Sequence, residues 1–369
     1  MSSILGFSPR APRCLRYALW TLSLGMIVLA AWPVTAAERE AQAPREVERP
    51  ALRGQWLLDP SIDSDHVQFG LRVEREGDHS HWGNTVSTAR LEGLASDVLK
   101  HDVEHVAFRL VQDAGTFHCR GSITDGHGAG TFELVLDPGF ARELEGRGVG
   151  RPSEAQQVKL AFANAGFGLI DALRDLRYPT PDVSKLVRMA EHGVREDYVR
   201  GLADLGFRLG SLDKLIEARD HGVDPRFIRG LQEVGYRGLT YEQLLTARDH
   251  GVNPSFVRGM REAGAGIRPI EEMIELRDHG VDPAYVKGMR EAGFEHADLK
   301  ELRVARDHGV DARYVQSLAE AGFGRLSLAT AIRARDHGVS GSLARRARER
   351  LGPGATIDDA IEWRDRGGR

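Results

Sequence analysis

Cysteine is nearly absent: the 369 residues hold two, Cys14 and Cys119. That excludes a disulfide-stapled scaffold and a cysteine-rich zinc module. There is no excess of positive charge either, with 50 Lys+Arg against 54 Asp+Glu. Such a chain has no general electrostatic pull on nucleic acid or an anionic membrane. Long apolar runs are lacking apart from one of 16 residues near the N-terminus, which excludes a multi-spanning membrane protein. Several motifs of common chemistries are missing as well. There is no Gly-x-Gly-x-x-Gly after a strand, no Walker A sequence, no Gly-x-Ser-x-Gly and no His-Glu-x-x-His. What is present, 41% hydrophobic and 28% charged residues, is the composition of a folded chain of two or three domains.

The N-terminus reads as a targeting segment. Residues 1–37 contain Arg10, Arg13 and Arg16 and no acid, followed by the apolar run Tyr17–Trp32. Pro33 breaks the run, and Val34-Thr35-Ala36-Ala37 offers small residues for a cleavage site. A basic start, an apolar middle and a small-residue exit make a secretory signal peptide. The run falls short of the ~20 residues of a membrane-spanning helix, so cleavage is expected and an uncleaved signal anchor is the alternative. Either way the bulk of the chain is expected to be exported, periplasmic or secreted, with no integral membrane segment after cleavage. Without the three arginines the net charge falls to about −7, and Cys119 is left alone. No intrachain disulfide is then possible, so stability must rest on burial. Residues 38–53, charged and proline-containing, read as a linker.

Residues 54–137 read as a small antiparallel β domain. Val67, Phe69, Leu71 and Val73 alternate, as do Val106, Phe108 and Leu110. Phe117, Cys119, Gly121 and Ile123 follow the same period, and so do Phe132, Leu134 and Leu136. Period 2 means one buried and one wet face. Asp125-Gly126, with Gly128 and Gly130, marks a hairpin loop between the last two runs. The one longer helix-period stretch lies around Thr88–Lys100. A sheet this small needs a second surface over its apolar face, and the helices that follow are the candidate.

Residues 182–369 are a repeat array. His-Gly-Val recurs at His192, His221, His250, His279, His308 and His337, always 29 residues apart, and a degraded seventh copy ends at Arg366. Periods of 20–50 residues mean solenoids or arrays. Each unit holds two short helices. The first keeps an apolar stripe, as in Tyr241, Leu244, Leu245 and Ala247, with Thr240 and Gln243 as a capping box. Arg303 interrupts an otherwise aliphatic slot. Gly193, Gly222, Gly251, Gly280, Gly309 and Gly338 sit where a left-handed residue ends a helix. The second helix opens on Asp224-Pro225, Asn253-Pro254 and Asp282-Pro283, an N-cap followed by proline at N1. Gly201, Gly230, Gly259 and Gly288 fall mid-helix, where glycine costs about 1 kcal/mol against alanine. One register paying that cost repeatedly predicts a tight crossing with no room for a Cβ. Stacked units then share a continuous core. Residues 138–181 are expected to be a helical unit joining sheet to array. The predicted fold is α+β and multidomain: an antiparallel β domain followed by an α-solenoid of helix-turn-helix repeats.

Few residues could carry chemistry. His101-Asp102-Val103-Glu104-His105 fits the inverted zinc-peptidase motif, but it runs straight into the strand Val106–Leu110 and has no helix to set both histidines on one face. His79-Ser80-His81 reads as a polar turn that could join His118 and His127 on a metal only if the sheet gathers them. Cys119 and His118 are adjacent on a strand and point to opposite faces, so Cys119 is expected to be buried. The six repeated histidines are spaced too widely, at ~10 Å per helix row, to share one metal. Each is expected to cap a first-helix C-terminus against its negative end. The neighbouring Arg-Asp pairs, Arg219-Asp220 through Arg335-Asp336, read as inter-repeat ion pairs, or alternatively as a binding stripe for a charged partner.

The unit R-D-H-G-V-D-P-x-[FY]-[VI]-[RK]-G-[LM]-x-E-[AV]-G-[FY] resembles one found in bacterial exported proteins with a β domain and 29-residue helical repeats. Similar units follow the membrane metallopeptidase domain of proteins resembling beta-lactam-sensor peptidases. Asp113-Ala114-Gly115-Thr116-Phe117 and Gly128-Ala129-Gly130-Thr131-Phe132 resemble the β domain before such repeats. The peptidase's zinc motif is missing from this sequence, so the resemblance implies an accessory or sensing module and carries over no catalytic residue. The expectation is therefore a non-enzymatic, exported scaffold with a protein partner in the cell envelope, without cofactor, metal or nucleic acid. The alternative is an exported metal-binding protein or hydrolase using the β-domain histidines.

Overall fold

Alternating apolar residues build a seven-stranded antiparallel sheet in the computed structural model, which describes residues 51–368 except 63, 64, 76, 77 and 96. The strands are β1 (Leu52–Pro60), β2 (His66–Arg75), β3 (Asp78–Ser87), β4 (Leu91–Glu92), β5 (Val103–Gln112), β6 (Gly115–Thr124) and β7 (His127–Leu136). Their order is β3-β2-β1-β7-β6-β5-β4. The sheet curls, so Trp56 of β1 meets Phe108 of β5 at 5.0 Å although two strands separate them in the order. Glycine makes room for that indole: a Cβ at Gly121 or Gly128 would lie 2.7 or 2.8 Å from it. The indole nitrogen donates to the Arg120 carbonyl at 3.1 Å.

The sheet departs from expectation in three places. β1 begins at Leu52, inside the stretch read as linker, and its Trp56 and Leu58 are buried. His79-Ser80-His81 is not a turn but part of the edge strand β3, with His79 opposite Glu74 and His81 opposite Arg72. An edge strand tolerates such polarity because half its backbone already faces water. Thr88–Lys100 is not a helix. It forms two 3-10 turns, Thr88–Arg90 and Val98–Lys100, around β4. Leu91 and Val98 are both buried and mimic a helical period, but Gly93 at φ +92° breaks the chain between them. The signal segment and the linker up to residue 50 lie outside the described residues.

Helices cover the open face of the sheet. α1 (Phe140–Gly146), α2 (Glu154–Ala163) and α3 (Phe167–Asp175) come first. Phe162 of α2 packs on Trp82, Phe117 and Phe132, with ring centroids 4.1, 5.1 and 5.9 Å away. Buried Gln157 donates to the carbonyls of Ala114 and Asp137 at 2.9 and 2.8 Å, satisfying the turn ends beneath it. Asp113, in the β5–β6 turn, accepts the Phe167 N–H at 2.7 Å.

The tandem array follows. Its first helices are α4 (Val183–Glu191), α6 (Leu212–Asp220), α8 (Tyr241–Asp249), α10 (Ile270–Asp278), α12 (Leu299–Asp307), α14 (Leu328–Asp336) and the unpaired α16 (Ile357–Asp365). Its second helices are α5 (Glu196–Asp204), α7 (Pro225–Glu233), α9 (Pro254–Glu262), α11 (Pro283–Glu291), α13 (Ala312–Leu318) and α15 (Gly341–Leu351). The described residues, 51–368, fall within one compact unit. Among the described residues no helix is long and apolar enough to cross a membrane.

The His-Gly-Val tripeptide is a helix stop. In the first unit Gly193 donates to the Ala190 carbonyl at 3.0 Å and Val194 to the Met189 carbonyl at 2.9 Å, the paired bonds of a Schellman turn. All six glycines have φ between +69° and +72°, as a left-handed C′ residue requires. The valines behind them are fully buried. Asp224, Asn253, Asp282 and Asp311 cap the second helices by accepting the N3 amide at 2.8–2.9 Å.

The mid-helix glycines face the proline of the next unit. A Cβ at Gly201, Gly230 or Gly259 would lie 2.8, 2.6 or 2.8 Å from Cγ of Pro225, Pro254 or Pro283. Gly288 meets the smaller Ala312, at 3.3 Å. One unit further on the sizes are exchanged: Ser317 stands in the glycine register and Gly341 opposite it. Arg303 is tolerated because its slot drifts to the surface along the array, from buried Ile216 to half-buried Ile274, and it pairs with Glu275 at 3.3 Å.

Two outcomes follow from this packing. Gly259→Ala gains helix propensity yet overpacks against Pro283, so it is expected to destabilise the chain by about 1–2 kcal/mol in urea melts. Gly288→Ala should cost less than half of that, and Pro283→Ala should rescue Gly259→Ala in a double-mutant cycle; additive losses would contradict the contact. Separately, burial pushes the Cys119 thiol up to about 12. In a Cys14→Ser chain a thiol reagent at neutral pH should label Cys119 only on unfolding.

Candidate functional site

The repeated histidines do more than end helices. Each occupies the C-cap of a first helix, as expected, and its Nδ1 reaches the aspartate of the next unit. His192, His221, His250, His279, His308 and His337 meet Asp220, Asp249, Asp278, Asp307, Asp336 and Asp365 at 2.6–2.8 Å. An ionised carboxylate only accepts, so Nδ1 carries the proton. The accepting Asp249 carboxylate holds the His221 pKa above its usual value, against a smaller opposing effect of desolvation.

The Arg-Asp pairs therefore split. The aspartate goes to the histidine behind it. The arginine is not its ion-pair partner but stacks on an aromatic ring of the preceding unit. Arg219, Arg248, Arg277, Arg306 and Arg335 lie 4.9–5.3 Å from the ring centres of Tyr198, Phe227, Phe256, Tyr285 and Tyr314. The tyrosines also donate across the seam, Tyr285 to the Val310 carbonyl at 3.0 Å and Tyr314 to that of Val339 at 2.8 Å. Burial of these phenols raises their pKa values. The stripe that the sequence offered as a possible binding surface is absorbed by unit-to-unit contacts.

Among the described side chains, the β-domain histidines take separate places. His127 pairs with Asp59 at 2.6 Å, and His101 lies 3.9 Å from Asp97. His105 is exposed on β5, where a register shift falls between Val103 and Val106. His118 lies opposite Glu133 on the face away from buried Cys119. The side chains of His79 and His81 lie outside those described. Among the described residues no three His, Cys, Asp or Glu side chains form a cluster able to hold a metal ion.

What the sequence reading missed is a charge asymmetry. The second helices α7, α9, α11, α13 and α15 carry eleven Arg or Lys against four Glu. The first helices α6, α8, α10, α12, α14 and α16 carry ten against sixteen acids. Arg229, Arg258, Lys287 and Arg345 share one register and are all exposed. Lys287 is 3.9 Å from Glu291, whereas Arg229, Arg258 and Arg345 make no ion pair among the described residues. The signal was present in the repeat as the Arg or Lys before the mid-helix glycine. Only the placement of that glycine against the next unit shows that its neighbour points to solvent. A cavity of about 400 Å3 lined by Arg229, Gln232, Glu233 and Arg237 opens on the same row. A second, of about 590 Å3, opens where Ala312 replaces proline.

The clasp has a pH signature. A histidine whose folded pKa is raised adds stability that is fully present below the unfolded value of about 6.5 and fades as pH rises through the folded value. NMR titration of His221 should give a midpoint above that value, and Asp249→Asn should bring it down. A midpoint unmoved by Asp249→Asn would mean that the clasp does not form in solution.

No protein-family model matches this sequence, and no curated protein matches it.

Proposed function

We propose that the chain is a non-enzymatic interaction scaffold of the cell envelope, exported by its N-terminal segment, that docks an acidic protein surface on its second-helix face. The observation that carries this reading is the row of exposed cations Arg229, Arg258, Lys287 and Arg345 on helices held in register by the glycine–proline contacts. The repeated glycines, prolines, histidines, aspartates and ring-stacking arginines are used up at the seams. The outward positions are not, and they are free to meet a partner. Cations at a fixed spacing complement a surface of carboxylates and speed its encounter, with a strong dependence on salt. Among the described residues, the conspicuous polar groups of the array, the repeat histidines and aspartates, bind one another.

The test is crosslinking in intact cells with the wild-type chain and with a chain carrying Arg229→Glu, Arg258→Glu and Lys287→Glu. All three positions are exposed, so the melting temperature should stay within a few degrees. The wild type should yield a defined envelope adduct that weakens with salt, and the reversed chain should lose it. An adduct equally strong in both chains would move the docking site elsewhere.

A further inference from the structure

One copy of the repeat breaks the rule that the others keep. Asp224, Asn253, Asp282, Asp311 and Ser340 each cap a second helix with the side chain. In the first unit that register holds Arg195, whose side chain caps nothing, and Glu196 stands in place of proline. Arg195 turns toward the sheet instead, and its Nε donates to the Ala163 carbonyl at 3.0 Å. A local rule broken in one copy alone points to a role other than folding.

Arg195 lines a cavity of about 540 Å3 where sheet, connecting helices and first repeat unit meet. Arg90, Gln112, Asp113, Asn164 and Asp197 line it too. The size falls within the ~300–1,000 Å3 of small-molecule pockets. Arg90 donates to Asn164 Oδ1 at 3.1 Å and makes no ion pair among the described residues. Burial disfavours the charged form of Arg195, Asp197 offsets part of that cost, and Arg219 and Arg90 add to it. An anion between two guanidiniums relieves the remainder. Gln112 Oε1 is shielded from water and accepts no hydrogen bond. Such an acceptor seeks an N–H or O–H donor. Asp113, the next residue, adds a carboxylate, one oxygen of which holds the Phe167 amide at 2.7 Å.

Adjoining this cavity is a slot of about 60 Å3, lined in part by Phe69, Leu71, Trp82, Leu110 and Phe162. It shares Arg90, Gln112, Asn164 and Arg195 with the larger cavity. Its volume suits one or two methyl-sized groups, each about the ~30 Å3 of a water molecule.

We propose that this junction binds a small zwitterion, an α-amino acid or short peptide with a small aliphatic side chain. The carboxylate lies between Arg90 and Arg195. The ammonium faces the Asp113 carboxylate beside Gln112. The aliphatic group enters the slot. A ligand held this way touches the sheet and α5 at once and so couples the β domain to the array. The inference is independent of the docking face, because it uses no residue of α7 to α15.

The test is calorimetric titration of the purified full chain with alanine, alanyl-alanine, acetate and ethylamine. Alanine or alanyl-alanine should bind at least tenfold more tightly than acetate or ethylamine. Whichever of the two is tighter identifies a free amino acid or a peptide as the source. Arg90→Gln and Asp113→Asn should each weaken that binding about tenfold or more, as loss of a charged hydrogen bond does. Asp113→Asn keeps an oxygen for the Phe167 amide, and Arg90 is exposed, so both unliganded chains should melt as the wild type does. Three results would overturn the proposal: no saturable binding of any of the four compounds, acetate binding as tightly as alanine, or both variants binding as the wild type does.

Discussion

A pair of nine-residue helices exposes more apolar surface than it can fold over, and the seam between consecutive pairs is where that surface goes. The valine behind each helix stop and much of the apolar stripe of each first helix are buried between units, as are the rings of Tyr198, Phe227, Phe256, Tyr285 and Tyr314. Most of what repeats in the array serves this one contact. The glycine in the second helix lets the next proline approach. The arginine lies over the preceding ring. The histidine holds the following aspartate. An isolated unit has no partner for any of these groups, so stability is shared between neighbours instead of residing in single units.

That division separates structure from recognition. Residues repeated in every unit are spent inward or sideways, on the neighbouring unit. The outward positions vary more freely, and they differ in sign between the two helix rows. From α6 onward, the second helices are therefore rich in cations and the first helices in acids. The excess of acid over the whole chain hides this, because net charge averages over faces that a partner meets one at a time.

Departures from the repeat are as informative as the repeat itself. Ala312, Ser317 and Gly341 break the glycine–proline rule, but together they exchange sizes across the contact and preserve the fit. Arg303 replaces an aliphatic residue where the slot is half-buried and finds Glu275. The side chain of Arg195 caps no helix; it donates to the Ala163 carbonyl of α2 and keeps Asp197 of its own helix close by.

The sequence alone determined the array: period, helix starts, helix stops and the tight glycine crossing follow from local rules of capping and steric fit, which act over a few residues. It determined most of the sheet for the same reason, since alternation is local. It misread β3 and Thr88–Lys100, where an edge strand carries polar residues and two 3-10 turns imitate a helical period. Tertiary structure decided the rest. Whether an arginine meets an aspartate or a ring, whether a histidine looks to its own helix or to the next unit, and which guanidiniums gather at the junction all depend on residues far apart in the chain. Side chains with several possible partners take the one that packing brings within reach, and no local pattern contains that distance.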